Sequence, residues 1–222
     1  MRRKTALVTG ANRGIGRALA AAFVARGDRV IAANRGGASG PEGAETTPLD
    51  VTDDASLAAL GALLENEALD LLVCNAGALI GRGGVDDPAF DRAAFETVLA
   101  VNVTGVFMTV RAALPSLRRA RGKIAVISSQ MGSSARPRGW AYPYCASKAA
   151  ATNLAANFAV ELKADGIAVG AYHPGWVRTD MGGPEAAVSP EESAAGLVRR
   201  FDALTVETAG CFEFFSGEPI PF

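Results

Sequence analysis

Seven short runs rich in β-branched and aliphatic residues recur along the chain, at about residues 5–9, 29–33, 47–49, 69–74, 123–128, 167–172 and 211–215. Longer Ala- and Leu-rich stretches separate them. That alternation is the pattern of repeated strand–helix units built around a parallel sheet. Between the first two runs, Ile15, Leu19 and Phe23 fall at i, i+4 and i+8, and Gly27 stands as a C-terminal stop, so a helix is predicted over about 14–26. A second helix is predicted over about 144–163, with Ala151, Leu154, Ala155, Phe158 and Leu162 as its buried stripe and Gly166 after its end. Asp91 is placed to N-cap a long helix running toward Arg119. Ser189-Pro190-Glu191-Glu192 combines an N-cap, an N1 proline and a capping-box Glu ahead of a short one. The Gly- and Glu-rich stretch 36–47 leaves little room for a full helix, so that crossover is expected to be abbreviated.

Size and composition narrow the function classes. A chain of 222 residues fits one compact domain, residues 1–222, with no Pro- or Ser-rich linker dividing it. A domain of this size can form a core without disulfides or metal. Lys and Arg number 22 against 23 Asp and Glu, so the net charge of −1 supplies no basic field for nucleic acid or acidic membranes. No run of consecutive apolar residues is long enough to span a bilayer. The cationic start Met1-Arg2-Arg3-Lys4 is followed by an apolar run that stops at Thr9-Gly10, too soon for a signal peptide, so a cytoplasmic protein is expected. Cys74, Cys145 and Cys211 are odd in number, widely spaced and without a C-x-x-C, which argues against a disulfide framework and against zinc. One histidine, His173, leaves little scope for a metal site or a Ser-His system, and no metal is expected.

Thr9-Gly10-Ala11-Asn12-Arg13-Gly14-Ile15-Gly16 follows a predicted strand and opens a helix. Glycines there permit positive φ and close backbone approach, and a helix N-terminus offers free N–H groups and a positive dipole to a pyrophosphate. The spacing is neither G-x-G-x-x-G nor a Walker loop, which disfavours an NTPase. Read alone, it is also a plain glycine-rich turn. The second constellation is Tyr144-Cys145-Ala146-Ser147-Lys148, where i and i+4 share a helical face and set phenol beside ammonium. A nearby ammonium favours the phenolate and brings the group toward proton exchange near neutral pH. Read alone, this pair is equally a surface tyrosine beside a surface lysine.

The glycine loop, Asn75-Ala76-Gly77, Asn102 in Val101-Asn102-Val103-Thr104-Gly105, Ser128-Ser129, Tyr144/Lys148 and Pro174-Gly175 occur in order over nearly the whole chain. In this the sequence resembles the short-chain dehydrogenase/reductase family. Within it, the Tyr-Pro-Tyr-Cys-Ala-Ser-Lys run and the His-Pro-Gly-Trp-Val-Arg-Thr-Asp-Met segment look most like the C-factor and sniffer-type carbonyl reductases. The resemblance implies a doubly wound α/β Rossmann-type fold, with seven strands and helices on both faces. It implies hydride transfer between a nicotinamide and a small-molecule carbonyl or alcohol. Tyr144 would protonate the carbonyl oxygen, Lys148 would lower the Tyr144 pKa and hold ribose hydroxyls, and Ser129 would hydrogen-bond the substrate oxygen. Asn102 would order a water between Lys148 and solvent. Ser128 would be structural, because Ser129-Gln130-Met131-Gly132 carries the family's Ser-x-x-Gly.

For the cofactor, the resemblance points to Gly10, Asn12, Arg13, Gly14, Ile15 and Gly16 at the phosphates and to Asp50 and Val51 at adenine. Asn75, Ala76 and Gly77 would line the adenosine side, and Pro174, Gly175, Val177 and Thr179 the nicotinamide. Where an NAD enzyme places a carboxylate this chain has Asn34-Arg35, and Arg35 with Arg13 could meet a 2′-phosphate. NADP(H) is favoured, with NAD(H) the other option. The Ser129-to-Tyr144 loop is about two residues longer than is common in the family, and the segment 180–188 is short where many relatives carry a lid, with Gly182-Gly183 expected to allow motion. His173 is expected to be a hydrogen-bonded structural imidazole, and Trp176, Phe212, Phe214 and Phe215 core or subunit contacts. Assembly as a homodimer or homotetramer is open. The competing function class is a cofactor-binding regulator or sensor with little turnover.

Overall fold

A computed structural model of the chain describes residues 3–37 and 40–222. Met1 and Arg2 of the cationic start, and residues 38–39 of the abbreviated crossover, lie outside the described residues. The strands are β1 (Thr5–Thr9), β2 (Arg29–Asn34), β3 (Glu45–Pro48), β4 (Leu71–Cys74), β5 (Lys123–Ile127), β6 (Ala168–His173) and β7 (Phe212–Phe214). They form one sheet in the order β3-β2-β1-β4-β5-β6-β7. Every pairing is parallel. The expected doubly wound α/β fold is what the chain adopts, and the order reverses direction between β1 and β4.

Parallel strands bury both faces, and the central ones read accordingly as unbroken apolar runs. Alternate residues divide between two cores. Leu7, Leu72, Ile124, Val126 and Val169 meet Val110, Leu117, Ala155 and Phe158 on one face, while Val8, Val73, Ala125 and Tyr172 meet Leu19, Phe23, Leu197 and Phe201 on the other. The helices that supply these residues are α1 (Gly14–Ala25), α2 (Asp54–Leu63), α3 (Arg92–Leu99), α4 (Gly105–Ala120), α5 (Tyr142–Glu161) and α6 (Pro190–Ala203). The 14-residue α6 is longer than its brief sequence signal suggests, and Ser189 caps it as expected by accepting from the Glu192 N–H at 3.0 Å.

The helix capped by Asp91 is not one regular helix. Asp91 accepts from Ala94 N–H at 2.8 Å, and α3 then passes through a five-residue π-turn, Ala100–Thr104, into α4. A π-turn takes up one residue more than a regular α-turn, and such insertions concentrate at functional sites. Here the turn carries Asn102, which is fully buried. This helical run, Arg92–Ala120, is long and apolar enough to cross a membrane by length and composition, yet Val98, Val106, Val110, Ala113 and Leu117 are buried within the protein.

His173 ends β6 under the ring of Phe214, with centroids 5.2 Å apart and the rings edge to face. The sequence suggested a hydrogen-bonded imidazole, but the buried Nδ1 has no partner among the described residues. Burial, helped by the nearby charges of Arg138, Lys148 and Arg136, pushes its pKa down to about 4. The native state therefore refuses a proton that the unfolded chain accepts below its ordinary value of 6.5. Stability should be full above that value and fall by about 3 kcal/mol as the pH drops to the native pKa. Urea denaturation of the parent and His173→Leu proteins across that window checks this, the variant being expected to lose the His173 share of the slope.

Candidate active site

The candidate residues converge at the C-terminal ends of β1, β4, β5 and β6, where loops leave the sheet on either side of the reversal in strand order. The first loop is shaped by backbone approach. Gly10 has φ +66° and a Cβ there would lie 3.0 Å from Ala76 Cα, while a Cβ on Gly16 would lie 2.3 Å from Gly10 O and 2.4 Å from Asn75 Nδ2. Gly14 has φ +52° and faces the Thr179 methyl. Asn75 bridges the gap between β1 and β4, its Nδ2 donating to Thr9 O at 2.8 Å and to Gly10 O at 3.2 Å. The Thr9 hydroxyl, buried beside it, accepts from the N–H groups of Asn75 and Ala76, each at 3.0 Å. No role was assigned to Thr9 from the sequence, although its place as the last residue of β1 before Gly10 was visible.

The N-terminus of α1 differs from those of α2, α3 and α6. Asp53, Asp91 and Ser189 cap those three, whereas Arg13 places no side-chain cap on α1 and its first turn carries no acidic residue. Its leading N–H groups are thus open to an external anion, which is the fit a dinucleotide phosphate requires. Arg13 itself turns aside, its Nη1 paired with Asp180 at 2.6 Å on the surface. Asn12 and Ile15 flank it, Asn12 exposed and Ile15 half-buried.

At the far end of β2, Asn34 is buried while Arg35 is exposed and favours the ionised form of Asp50 from nearby. Asp50 is held by its own turn, accepting from Thr52 N–H at 2.9 Å and Thr52 Oγ1 at 2.7 Å, and these bonds lower its pKa. Val51 is buried behind it, against the position where Gly105 lacks a Cβ.

On the other side of the reversal, Tyr144 and Lys148 lie on the first turns of α5 and are buried, as is Ser129 just past β5. Lys148 Nζ donates to Ile127 O at 2.8 Å and sits 5.5 Å from the Tyr144 ring centroid. Ser128 donates to Lys148 O at 3.0 Å and meets Thr152 Oγ1 at 2.6 Å, the structural part expected of it. Asn102 uses both ends of its carboxamide. Oδ1 accepts from Ala78 N–H at 2.8 Å, and Nδ2 donates to Ala78 O and Ser147 Oγ, each at 2.9 Å. A Cβ on Gly77 would meet Asn102 Oδ1 at 3.4 Å and Lys148 Nζ at 3.7 Å, so these three groups share one small space.

The electrostatics correct one sequence expectation. The resemblance implies that Lys148 pulls the Tyr144 pKa down, but burial outweighs every charge and pushes the phenol up to about 12. The Ser129 hydroxyl and the charge of Arg82 favour the ionised form but do not offset burial. Burial also brings Lys148 down to about 8. The Lys148 ammonium lies over the Tyr144 ring, 5.5 Å from its centroid. Cys145 is likewise raised by burial and donates to Trp140 O at 3.3 Å, so it lacks the thiolate character that marks reactive cysteines.

The segment after β6 also departs from expectation. Val177 bridges Val188, Arg178 N–H donates to Val188 O at 2.9 Å and Arg178 Nη1 to Ala186 O at 2.9 Å. A Cβ on Gly182 would clash with Val177 O, so a close turn requires this glycine, while Gly183, at φ +83°, has open space around it. Of the two places expected for Trp176, the core is ruled out: it is 55% exposed and donates from Nε1 to Gly182 O at 2.7 Å. The turn places Thr179 against Gly14 and Gly182, with Pro174 buried, Gly175 at φ +91° and Val177 buried at its root.

With this geometry in place, comparison with known proteins is informative. A family model described as short chain dehydrogenase matches residues 4–188. The chain is 33% identical to 1-hydroxy-2-glutathionyl-2-methyl-3-butene dehydrogenase of Rhodococcus sp. (strain AD45), over 96% of this chain and 97% of that one. It is 35% identical to the C-signal protein of Myxococcus xanthus, over 69% of this chain and 93% of the relative. Among solved structures, an NADPH-bound carbonyl reductase from chicken fatty liver superposes over 100% of both chains with TM-score 0.89 and 29% identity.

The β1–β4 bridge can be tested directly. Thr9→Val keeps the shape but strips the acceptor from the Ala76 N–H, and should lower stability by about 1–3 kcal/mol in urea denaturation. Thr9→Ser, which restores the oxygen, should recover most of that loss.

Proposed function

Because the chain belongs to the short-chain dehydrogenase family, we propose that it transfers a hydride between NADP(H) and a small carbonyl or alcohol substrate. The observation that carries this reading is the burial of Tyr144, Ser129 and Lys148 together, beside a glycine loop whose helix has no cap of its own. A chain that only bound a nucleotide would have no chemical need for the serine and tyrosine. Names of the relatives agree: one is a dehydrogenase of a hydroxyl compound and one solved structure is a carbonyl reductase with NADPH.

The bound nicotinamide would supply or accept the hydride. In reduction, Ser129 Oγ would donate a hydrogen bond to the substrate oxygen, and Tyr144 would pass its phenolic proton to that oxygen as negative charge develops there. A phenol pushed up to about 12 holds its proton at neutral pH, so the proton is in place for reduction, though burial makes it the weaker acid. Lys148, anchored on Ile127 O, would hold the ribose hydroxyls with its remaining donors. Asn102 would fix the Ala78 backbone and Ser147 around that ammonium and order the water that links it to solvent. The phosphates would lie on the N–H groups of Gly14, Ile15 and Gly16, with Gly10 and Asn12 shaping the loop. Asp50, Val51, Asn75, Ala76 and Gly77 would line the adenosine side, and Pro174, Gly175, Val177 and Thr179 the carboxamide side.

The absence of a carboxylate at Asn34-Arg35 favours NADP(H), and Arg35, exposed, is the first candidate for the 2′-phosphate. Arg13 would join it only on leaving Asp180. The whole chain, residues 1–222, would work as one cytoplasmic domain, alone or as a homodimer or homotetramer.

Oxidation of NADPH against a panel of aldehydes, quinones, diketones and keto esters tests the reading. Tyr144→Phe should lower kcat by about 10²–10⁴-fold while leaving the NADPH dissociation constant nearly unchanged; equal rates in both proteins would defeat the assignment, and binding without turnover on any substrate would favour a regulator. The lysine adds a pH signature. Lys148 is cationic below about pH 8, so kcat/KM for reduction should be flat below that value and fall above it, and Lys148→Arg, which stays charged, should move the fall to higher pH.

A further inference from the structure

Two loops frame the start of α5, and they are tied to each other. Ala141 N–H, immediately before α5, donates to Gly83 O at 3.0 Å, and Ala141 takes the left-handed conformation with φ +50° to make that turn. Next to the first contact, on the loop between β4 and α3, is Arg82. Three residues before the second, on the loop between β5 and α5, is Arg138. The tie therefore sets both arginines on the paired loops that lead to Tyr144 at the start of α5.

Their hydrogen bonds fix them further. Arg82 Nη2 donates to Met181 O of the stitched turn after β6. Arg138 Nη2 donates to Gln130 Oε1 at 3.1 Å, and Gln130 follows Ser129. Both side chains are exposed, and neither forms an ion pair among the described residues. Elsewhere in the chain Arg13, Arg26, Arg29, Arg118 and Arg200 meet carboxylates. Of the acidic groups on these loops, Asp180 pairs with Arg13, Asp87 accepts from the N–H groups of Gly83 at 2.6 Å, Ala89 at 2.9 Å and Arg82 at 3.3 Å, and Asp86 is exposed to solvent. Arg136, on the same loop as Arg138, is drawn away over the Phe214 ring at 5.6 Å. The charge of Arg82 favours the ionised Tyr144 phenol and that of Arg138 the ionised Cys145 thiol, so both cations lie near the start of α5.

A guanidinium with unfilled donors is shaped to take a carboxylate through two parallel hydrogen bonds. We propose that the substrate of this chain is a carbonyl compound, or its alcohol, that carries a carboxylate held between Arg82 and Arg138, the two residues setting specificity rather than taking part in the chemistry. This rests on the reading of the site as a hydride-transfer centre.

A matched pair of substrates tests it: 4-carboxybenzaldehyde and methyl 4-formylbenzoate, which present the same aldehyde with and without the charge. At low salt the acid should exceed the ester in kcat/KM by about tenfold. That ratio should fall toward one in the double variant Arg82→Gln/Arg138→Gln, be largely kept in Arg138→Lys, and shrink in the parent as salt is added. Equal kcat/KM for acid and ester in the parent at low salt overturns the proposal, whatever the variants do. Calorimetric titration of the same two compounds into the parent needs no turnover and separates the two readings. Acid-selective, arginine-dependent binding without NADPH or NADH oxidation keeps the anion site and overturns the oxidoreductase reading. Reduction of both aldehydes alike, with binding alike, does the reverse; equal binding with no reduction overturns both.

Discussion

The hydrogen bonds that Asn75 and Thr9 make between the ends of β1 and β4 are what the rest of the site depends on. In a parallel sheet whose order reverses, two neighbouring strands send their chains to opposite faces, and the crevice between the departing loops has to be held to a width by something other than sheet pairing. Here a carboxamide and a hydroxyl do it. They bring Gly10 to within reach of Ala76 and leave no room for a side chain at Gly16, so the first helix starts close to the sheet with its N–H groups facing the gap. A second crossing contact, Asn102 with Ala78 and Ser147, fixes the other wall in the same way. Both walls are thus set by side-chain amides bonded to backbone, Asn75 half-buried and Asn102 fully buried, and losing a partner at the buried one leaves an unsatisfied polar group and is strongly penalised.

Much of the fold was legible because it rests on local signals. Each predicted strand overlaps an observed one, Ser189 and Asp91 cap the helices that follow them, and the abbreviated crossover before β3 has no helix among its described residues. Tyr144 and Lys148 share a helical face because four residues nearly close a turn. Helix α2 was overlooked, although Asp53, which accepts from Ser56 N–H at 2.8 Å, was a usable start signal; its alanines blur the apolar stripe. The π-turn was not legible, since the choice between a regular turn and a wide one is made by what the side chains meet across the protein. For the same reason the candidate residues could be named while their electrostatics could not. Spacing puts an ammonium near a phenol, but only the packed structure tells that the ammonium reaches a backbone carbonyl and that burial governs both groups.

That balance bears on how such a site handles protons. A buried phenol and a buried amine with no carboxylate between them shift toward their neutral forms together, each lacking the partner that would stabilise its charge. The pair is therefore poised for a third group to complete it, and what completes it will set the direction in which the proton moves most readily. The paired loops add a separate layer, in which exposed arginines act at longer range and are weakened by salt, while the buried pair is shielded from it.

The π-turn at Ala100–Thr104 has a consequence for how this chain tolerates change in length. Helices in solvent-facing positions accept a lost or gained residue by sliding, because no single side chain has to point in one direction. The wide turn takes up its extra residue locally, so Val106, Val110 and Leu117 keep the face that a regular helix would present to the sheet. Removing one residue between Ala100 and Thr104 would restore the regular helix and leave that packing in place, while Asn102 would lose its aim at Ala78. The extra residue thus separates the aim of one amide from the packing of a whole helix.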